Sequence, residues 1–394
     1  MGLGISVFLS IYITVAAMVL IIIYLIWVQK LKDVALYTPG IQYLWALCAL
    51  GIVAAYENNN TLGVLIALAL VGCFIVGAFA RSVMTRTLFD KFAAVSCGAS
   101  VFSFAVALIQ YLIYSERISS VFINANYYAA ITEIVVLLAV YKLFNAQGFW
   151  KKGFYTAVIL LNIAGLYLSG CRTAVFALFA AVSLMLMLYR RFKTLAAFWA
   201  FCVLAAGVMF LLPGIFPRME QIGTDMGTRL DIWHRALMAI SAHPLFGEGA
   251  LAFTRFHLTL NGMHIIHAHS IYLETILCFG VVGVALILAY LKNNLTPIWR
   301  MRRSPRDRDT FALALGLFAS VALHGAVDAT PFNVQTGVLL MLGLAIAGIQ
   351  ENLQPALMRM PAYRMAFLPS GEAGQARRDV DVAEEKPYFP KRSI

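Results

Sequence analysis

Residues 154–212 read FYTAVILLNIAGLYLSGCRTAVFALFAAVSLMLMLYRRFKTLAAFWAFCVLAAGVMFLL. Three apolar runs, 154–169, 173–189 and 194–212, are joined by two short turns, Ser169-Gly170-Cys171-Arg172-Thr173 and Arg190-Arg191-Phe192-Lys193. A bilayer core about 30 Å thick asks for roughly 20 apolar residues in helical form. Lipid offers backbone N–H and C=O groups no partner, so each run must be a helix that satisfies its own backbone. The chain crosses, returns and crosses again.

The same rhythm extends outward from this stretch. Eleven apolar runs are legible: 5–28, 40–56, 60–80, 92–114, 122–144, 154–169, 173–189, 194–212, 270–291, 310–328 and 334–350. With 61% hydrophobic residues and a mean hydropathy of +0.81, the expectation is an all-α polytopic membrane protein of about 11–12 transmembrane helices.

Charge orients it. One set of connecting segments holds Lys30 and Lys32; Arg81, Arg86 and Lys91; Lys142, Lys151 and Lys152; Arg190, Arg191 and Lys193; Lys292 and Arg300 to Arg308; and the C-terminal tail. Together these carry 24 of the 30 basic residues, and the positive-inside bias assigns them to the cytoplasm. The opposite set holds Arg117, Arg172, Arg218, Arg229, Arg235 and Arg255, with no lysine. Alternation holds across all eleven runs and places Met1 to Gly4 outside. Lys30 and Lys32 follow the first run and no basic segment precedes it, the pattern of a retained anchor. The formal charge of +11 sits on inner loops and the tail, where anionic lipid headgroups are the expected partner and nucleic acid is not. Cys48, Cys73, Cys97, Cys202 and Cys278 fall inside apolar runs and Cys171 stands alone near the outer surface, so neither a disulfide framework nor a cysteine metal site is expected.

Residues 1–350 read as one membrane domain, 213–269 as its long outward loop, and 351–394 as a polar cytoplasmic tail with too little to bury to be ordered. Within the loop, Thr228 is an expected N-cap for a short helix carrying Leu230, Trp233 and Leu237. His243-Pro244 should end that helix, and Gly247-Glu248-Gly249 should turn.

Several outward residues can carry chemistry. Arg172 stands at the start of a helix, where the dipole opposes a cation. It is either a snorkelling arginine or an anion clamp whose planar fork suits phosphate, and Arg229 divides the same way. His264, His267 and His269 crowd the entry to the run at 270–291. A metal reading lacks a nearby carboxylate or cysteine pair. A base reading has Ser270 capping the helix and His269 beside its positive end, where protonation is penalised. His324 and Asp328, four apart, are expected on one helix face. Asn124 and Asn126 lie at a helix entry, where capping and ligand contact serve equally well as explanations.

His269-Ser270, nine residues, then Gly280-Val281-Val282-Gly283 resembles the pattern H-[N/S/Q]-x9-G-x-x-[G/T/Y] of bacterial O-antigen ligases. The segments Ser-Gly-Cys-Arg172, Arg229-Leu-Asp-Ile-Trp, His243-Pro-Leu-Phe-Gly-Glu-Gly and Phe122-Ile-Asn-Ala-Asn-Tyr are similar to other landmarks of that superfamily. The resemblance covers roughly 115–350. It implies a GT-C-like membrane glycosyltransferase in the bacterial inner membrane, its site facing the periplasm or exterior. It further implies an undecaprenyl-diphosphate-linked glycan donor, a lipid A–core or glycan acceptor, and no metal or other cofactor. On this reading His269, Arg229 and Arg172 are catalytic, and Arg172, Arg229, Arg235, His267, Asp328 and Asn126 bind substrate. The chain departs from the ligases in having eleven runs where twelve are usual, and in a shorter outward loop, which leaves room for a polymerase. The rival reading is a transporter or flippase for a lipid-linked sugar or anion, which should place ionisable residues near mid-membrane. A third, a structural scaffold for export, predicts that Arg172 and His269 can be replaced freely.

Overall fold

A computed structural model describes residues 1–114, 117–212, 222–256, 258–260 and 263–351. The tail beyond Glu351 and the start of the outward loop, 213–221, fall outside these residues. Helices α1 (Gly2–Ser6) and α2 (Ile11–Trp27) fill the first apolar run, and α3 (Leu31–Tyr37) follows at an angle of 104° to α2. Then come α4 (Ile41–Glu57), α5 (Thr61–Val83), α6 (Arg86–Tyr114), α7 (Ala125–Asn145), α8 (Phe149–Ser169), α9 (Arg172–Leu188) and α10 (Phe192–Leu211). The loop contributes α11 (Ile222–Ala242), a 3-10 turn (Ala252–Phe256) and the hairpin of β1 (Thr259–Leu260) with β2 (Met263–His264). The chain closes with α12 (Ile271–Met301), α13 (Arg308–His324), α14 (Val334–Leu344) and α15 (Ala347–Glu351).

Each of the eleven apolar runs carries a helix. Six of these, α5, α6, α7, α8, α10 and α12, are long and apolar enough to cross a membrane on their own, and the bent pair α2–α3 makes up to seven. The remaining runs hold shorter helices. The fold is an all-α polytopic membrane protein with short helices between the long ones.

Helix α7 is the axis of the bundle. It packs against α6, α8, α9, α13 and α14, and buried residues from Ala125 to Tyr141 lie on all its sides. A helix apolar all round has to be enclosed. By contrast, α10 buries no residue and touches chiefly α9, leaving a helix that only lipid or a partner can cover. At the basic end, the buried Arg81 donates to Asn294 Oδ1 at 2.8 Å, Asn293 O at 3.0 Å and Pro39 O at 3.2 Å. One guanidinium thereby ties α5 to α12 and to the α3–α4 turn, and Arg86 pairs with Asp307 beside it.

The feature that sets up the other end is a break in α12. Gly280 takes φ 62° and ψ −171° inside the helix. That conformation removes the intrahelical partners of Leu277 and Cys278 carbonyls and of Val281 and Val282 N–H groups, which in a membrane protein must be replaced. The segment after α11 replaces all four. Glu248 N–H donates to Leu277 O and Gly249 N–H to Cys278 O, both at 2.9 Å, while Val281 N–H reaches Pro244 O at 2.9 Å and Val282 N–H reaches Leu245 O at 3.1 Å. A Cβ on Gly280 would stand 2.2 Å from Leu245 O, and one on Gly247 2.5 Å from the Cys278 carbonyl carbon. Asn60 holds the same segment from α5, donating to Glu248 O at 3.2 Å and Ala250 O at 2.9 Å while capping its own helix.

Candidate active site

Helix α11 packs against α12. It starts at Ile222, so Thr228 is an interior residue and not the expected N-cap, and the helix is longer than the sequence led us to expect. It ends at Ala242, before His243-Pro244 as expected, because proline cannot continue the ladder and restricts the residue before it. Ile232, Ala236 and Ala239 bury one stripe against Ala252, Phe253, Ile265, Ala268 and Leu277.

A second stripe is polar. Asp225, Arg229 and Trp233 recur every four residues and so share a face. Asp225 forms a 2.6 Å ion pair with Arg172, the first residue of α9. Trp233 Nε1 donates to His269 O at 3.3 Å. Arg229 therefore stands between the contacts made to Arg172 and to His269, about one helical turn from each along the axis. It is half-buried and makes no hydrogen bond or ion pair among the described residues. Asp225 also explains how Arg172 survives at the positive end of α9: its carboxylate supplies the compensation that the dipole denies.

His269 enters α12 with φ 46°, in the left-handed region. Its N–H points at His267 Nδ1, 3.3 Å away, and the two rings meet at 4.2 Å between centroids. Ser270 occupies the N-cap position, but its side chain makes no capping bond, contrary to expectation. The loop is secured one turn inward, where the buried Glu274 accepts Ala268 N–H at 2.7 Å.

Asp328 completes the group. The expectation that it shares a helix face with His324 is wrong, because α13 ends at His324 and the chain then turns. His324 pairs instead with Glu133 of α7 at 2.5 Å, inside the bundle. Released from the helix, Asp328 brings Oδ1 to 3.5 Å from His269 Nδ1. Its Oδ2 accepts from Asn126 Nδ2, and Asn126 Oδ1 accepts in turn from Arg117, whose Nε reaches Ser169 O at 2.7 Å. Asn124 is the cap of α7, accepting Asn126 N–H at 2.8 Å. The carboxylate that the sequence did not place near the histidines is thus present, buried to 2% exposure.

The structure therefore gathers His267, His269, Asp328 and Asn126 in one cluster, and joins Arg172 and Arg229 to it through α11. Arg235 is exposed on α11, away from these contacts. Arg117, Asp225, Trp233 and Glu133 are participants that the sequence reading did not single out. Glu133 carried the clearest signal, an acidic residue within an apolar run. Arg117 was visible only as one of six outward arginines. Burial holds the His267 imidazole down to about 4, and the neighbouring His269 adds to the effect while Asp328 opposes it. His267 is therefore neutral at pH 7. All six cysteines are free; Cys171 is buried, with its sulfur 3.8 Å from His324 Nε2.

Residues 157–288 match the family model described as O-antigen ligase. The stretch includes Arg172, Arg229, His267, His269 and the Gly280–Gly283 pair, and it supports the resemblance to the O-antigen ligase and polymerase superfamily. Over 199 residues the chain is 27% identical to an uncharacterized protein of Haemophilus influenzae, covering 42% of this chain and 49% of that protein. The chain thus spans about half the length of the curated relative it matches.

Proposed function

We propose that this chain is an inverting, metal-independent membrane glycosyltransferase of the O-antigen ligase and polymerase kind. It moves a preassembled glycan from undecaprenyl diphosphate to an acceptor hydroxyl, on lipid A–core in a ligase or on a second glycan in a polymerase. The reaction takes place at the outer face of the bacterial inner membrane. One observation carries this reading: one face of α11 holds Asp225, paired with Arg172, and Trp233, bonded to His269 beside Asp328, with Arg229 between them. Two candidate anion-binding arginines and a candidate base are thereby linked through one face of α11.

Arg172 and Arg229 bind the donor diphosphate, which displaces Asp225 from the Arg172 guanidinium. Asp328 faces Nδ1 of His269 as an orienting carboxylate faces histidine in hydrolytic triads. Nε2 is then left to take the proton of the acceptor hydroxyl. The 3.5 Å contact tightens when the acceptor is bound, as such contacts commonly do. As the acceptor oxygen bonds to the anomeric carbon, the carbon–oxygen bond to phosphate breaks and its electron pair leaves on the diphosphate, where the arginines stabilise it. Since the leaving group is an activated phosphate, no second carboxylic acid is required. Asn126 and His267 position Asp328 and His269, and Arg235 extends the basic edge toward the glycan.

The test is transfer by purified protein in lipid with EDTA present, using a lipid-linked oligosaccharide with and without lipid A–core. Product only with lipid A–core identifies a ligase; lengthening without it identifies a polymerase. Undiminished transfer by His269→Ala removes the base assignment. The transporter reading draws on Glu133, about 12 Å along α7 from its start, paired with His324 inside the bundle. Donor flux across sealed liposomes, abolished by Glu133→Gln with no glycan transferred, would favour it.

A further inference from the structure

We propose that His267, His269 and Asp328 form a site for a zinc-type divalent cation, and that its occupancy switches off transfer. The binding half rests on geometry alone; the inhibitory half rests on the reading of His269 as the base.

One ligand atom from each of the three residues lies within 4.8 Å of the others. Nδ1 of His269 and Oδ1 of Asp328 are 3.5 Å apart, and two ligands of a tetrahedral zinc with bonds of about 2.0–2.2 Å stand roughly 3.3–3.6 Å apart. That edge of the tetrahedron is already formed, and His267 brings a ligand nitrogen within 4.8 Å of a ligand atom of each of the other two. Two imidazoles and one carboxylate are a borderline donor set suited to zinc and its neighbours. Three protein ligands leave the fourth position to water. Outer support is in place as well: Asn126 bonds the other oxygen of Asp328 and is itself held by Arg117. Nδ1 of His269 is enclosed and, with Asp328 Oδ1 3.5 Å away, completes no hydrogen bond among the described residues, so a cation takes up an atom otherwise left unsatisfied.

The consequence follows from the ring's two nitrogens. A neutral imidazole carries one proton and one lone pair. With a cation on Nδ1 the proton resides on Nε2, which can then accept nothing from an acceptor hydroxyl. The cation inhibits by fixing the wrong tautomer, without touching the arginines.

Full-length protein in nanodiscs titrated with Co2+ tests the site, because four-coordinate cobalt absorbs strongly in the visible. One Co2+ per chain with a four-coordinate spectrum, displaced by Zn2+, is expected. Affinity should fall at least about tenfold in Asp328→Asn and in His267→Ala and remain unchanged in His243→Ala, an exposed histidine outside the cluster. Six-coordinate cobalt only, or binding unaltered in both cluster variants, overturns the site. Should those variants fail to fold, Zn2+ protection of His267 and His269 from diethylpyrocarbonate in the wild type decides, and absence of protection refutes. In the transfer assay Zn2+ should lower the initial rate at least tenfold, with recovery on EDTA. A bound cation with an unchanged rate overturns the inhibition and the base assignment while leaving the site standing. If no transfer is found with any donor, the functional reading fails, and the cobalt titration still settles the site.

Discussion

At His269, backbone and side chain are held by different partners. The left-handed φ of 46° costs a non-glycine residue about 1 kcal/mol or more. Trp233 at the carbonyl and His267 at the N–H are what hold it there. His269→Ala should lower kcat about 10²–10⁴-fold with little change in donor KM, whereas Arg172→Ala should raise donor KM as well; steady-state transfer kinetics separate the two. Trp233→Phe keeps the ring and removes the donor, at about 1 kcal/mol, read as a modest loss of melting temperature and of rate. His267 makes a pH prediction with a definite sign. Its folded value of about 4 lies below its ordinary 6.5, so the unfolded chain binds more protons between those values. The contribution is fully present above about pH 6.5 and is lost as pH falls toward 4, by at most ~3 kcal/mol. Melting curves from pH 7 to 4 should show a steeper acid loss in the wild type than in His267→Gln.

The break in α12 is the decisive element. Its motif, a glycine eleven residues after His269, was legible as a pattern, yet its reason is a tertiary one. Residues 244–249 of another segment supply the four hydrogen bonds that the helix gives up at Gly280. Gly280→Ala combines a positive φ with a Cβ 2.2 Å from Leu245 O, and the segment must move. We expect a loss of at least ~2–3 kcal/mol, seen as a lowered melting temperature in nanodiscs, together with loss of transfer because His269 begins the same helix. Gly247→Ala, on the other side of the junction, should behave alike, and the double variant should lose less than the sum because both break one contact. Asn60→Ala, which removes a cap and two bonds to the loop, should cost ~1–2 kcal/mol and leave the chemistry slower but present.

Across the whole molecule, charge and enclosure divide the two ends. Basic residues crowd one end, where Arg81 and Arg86 lock helices together; arginines without lysines mark the other. Orientation can be read by labelling. Ser241→Cys should react with a membrane-impermeant thiol reagent in intact cells, and Lys151→Cys only after permeabilisation; the reverse result would invert the bundle. Both positions are exposed, while the native cysteines are buried or half-buried. The exposed α10 shows that burial within the chain does not decide which helices span, since lipid itself covers an apolar helix.

Hydropathy alone determined the fold class and where the eleven helical apolar runs lie, because a chain in lipid must be helical. The histidines, Arg172 and Arg229 were legible as residue types at helix ends. Nothing in their spacing revealed Asp328 as the partner of His269, Asp225 as the partner of Arg172, or Glu133 as the partner of His324. Those pairs join residues far apart in sequence, and they depend on where α13 stops, where α11 starts and how α12 breaks. The break in α12 and the stop of α13 are met by hydrogen bonds from other segments, which no local pattern of apolar and polar residues encodes.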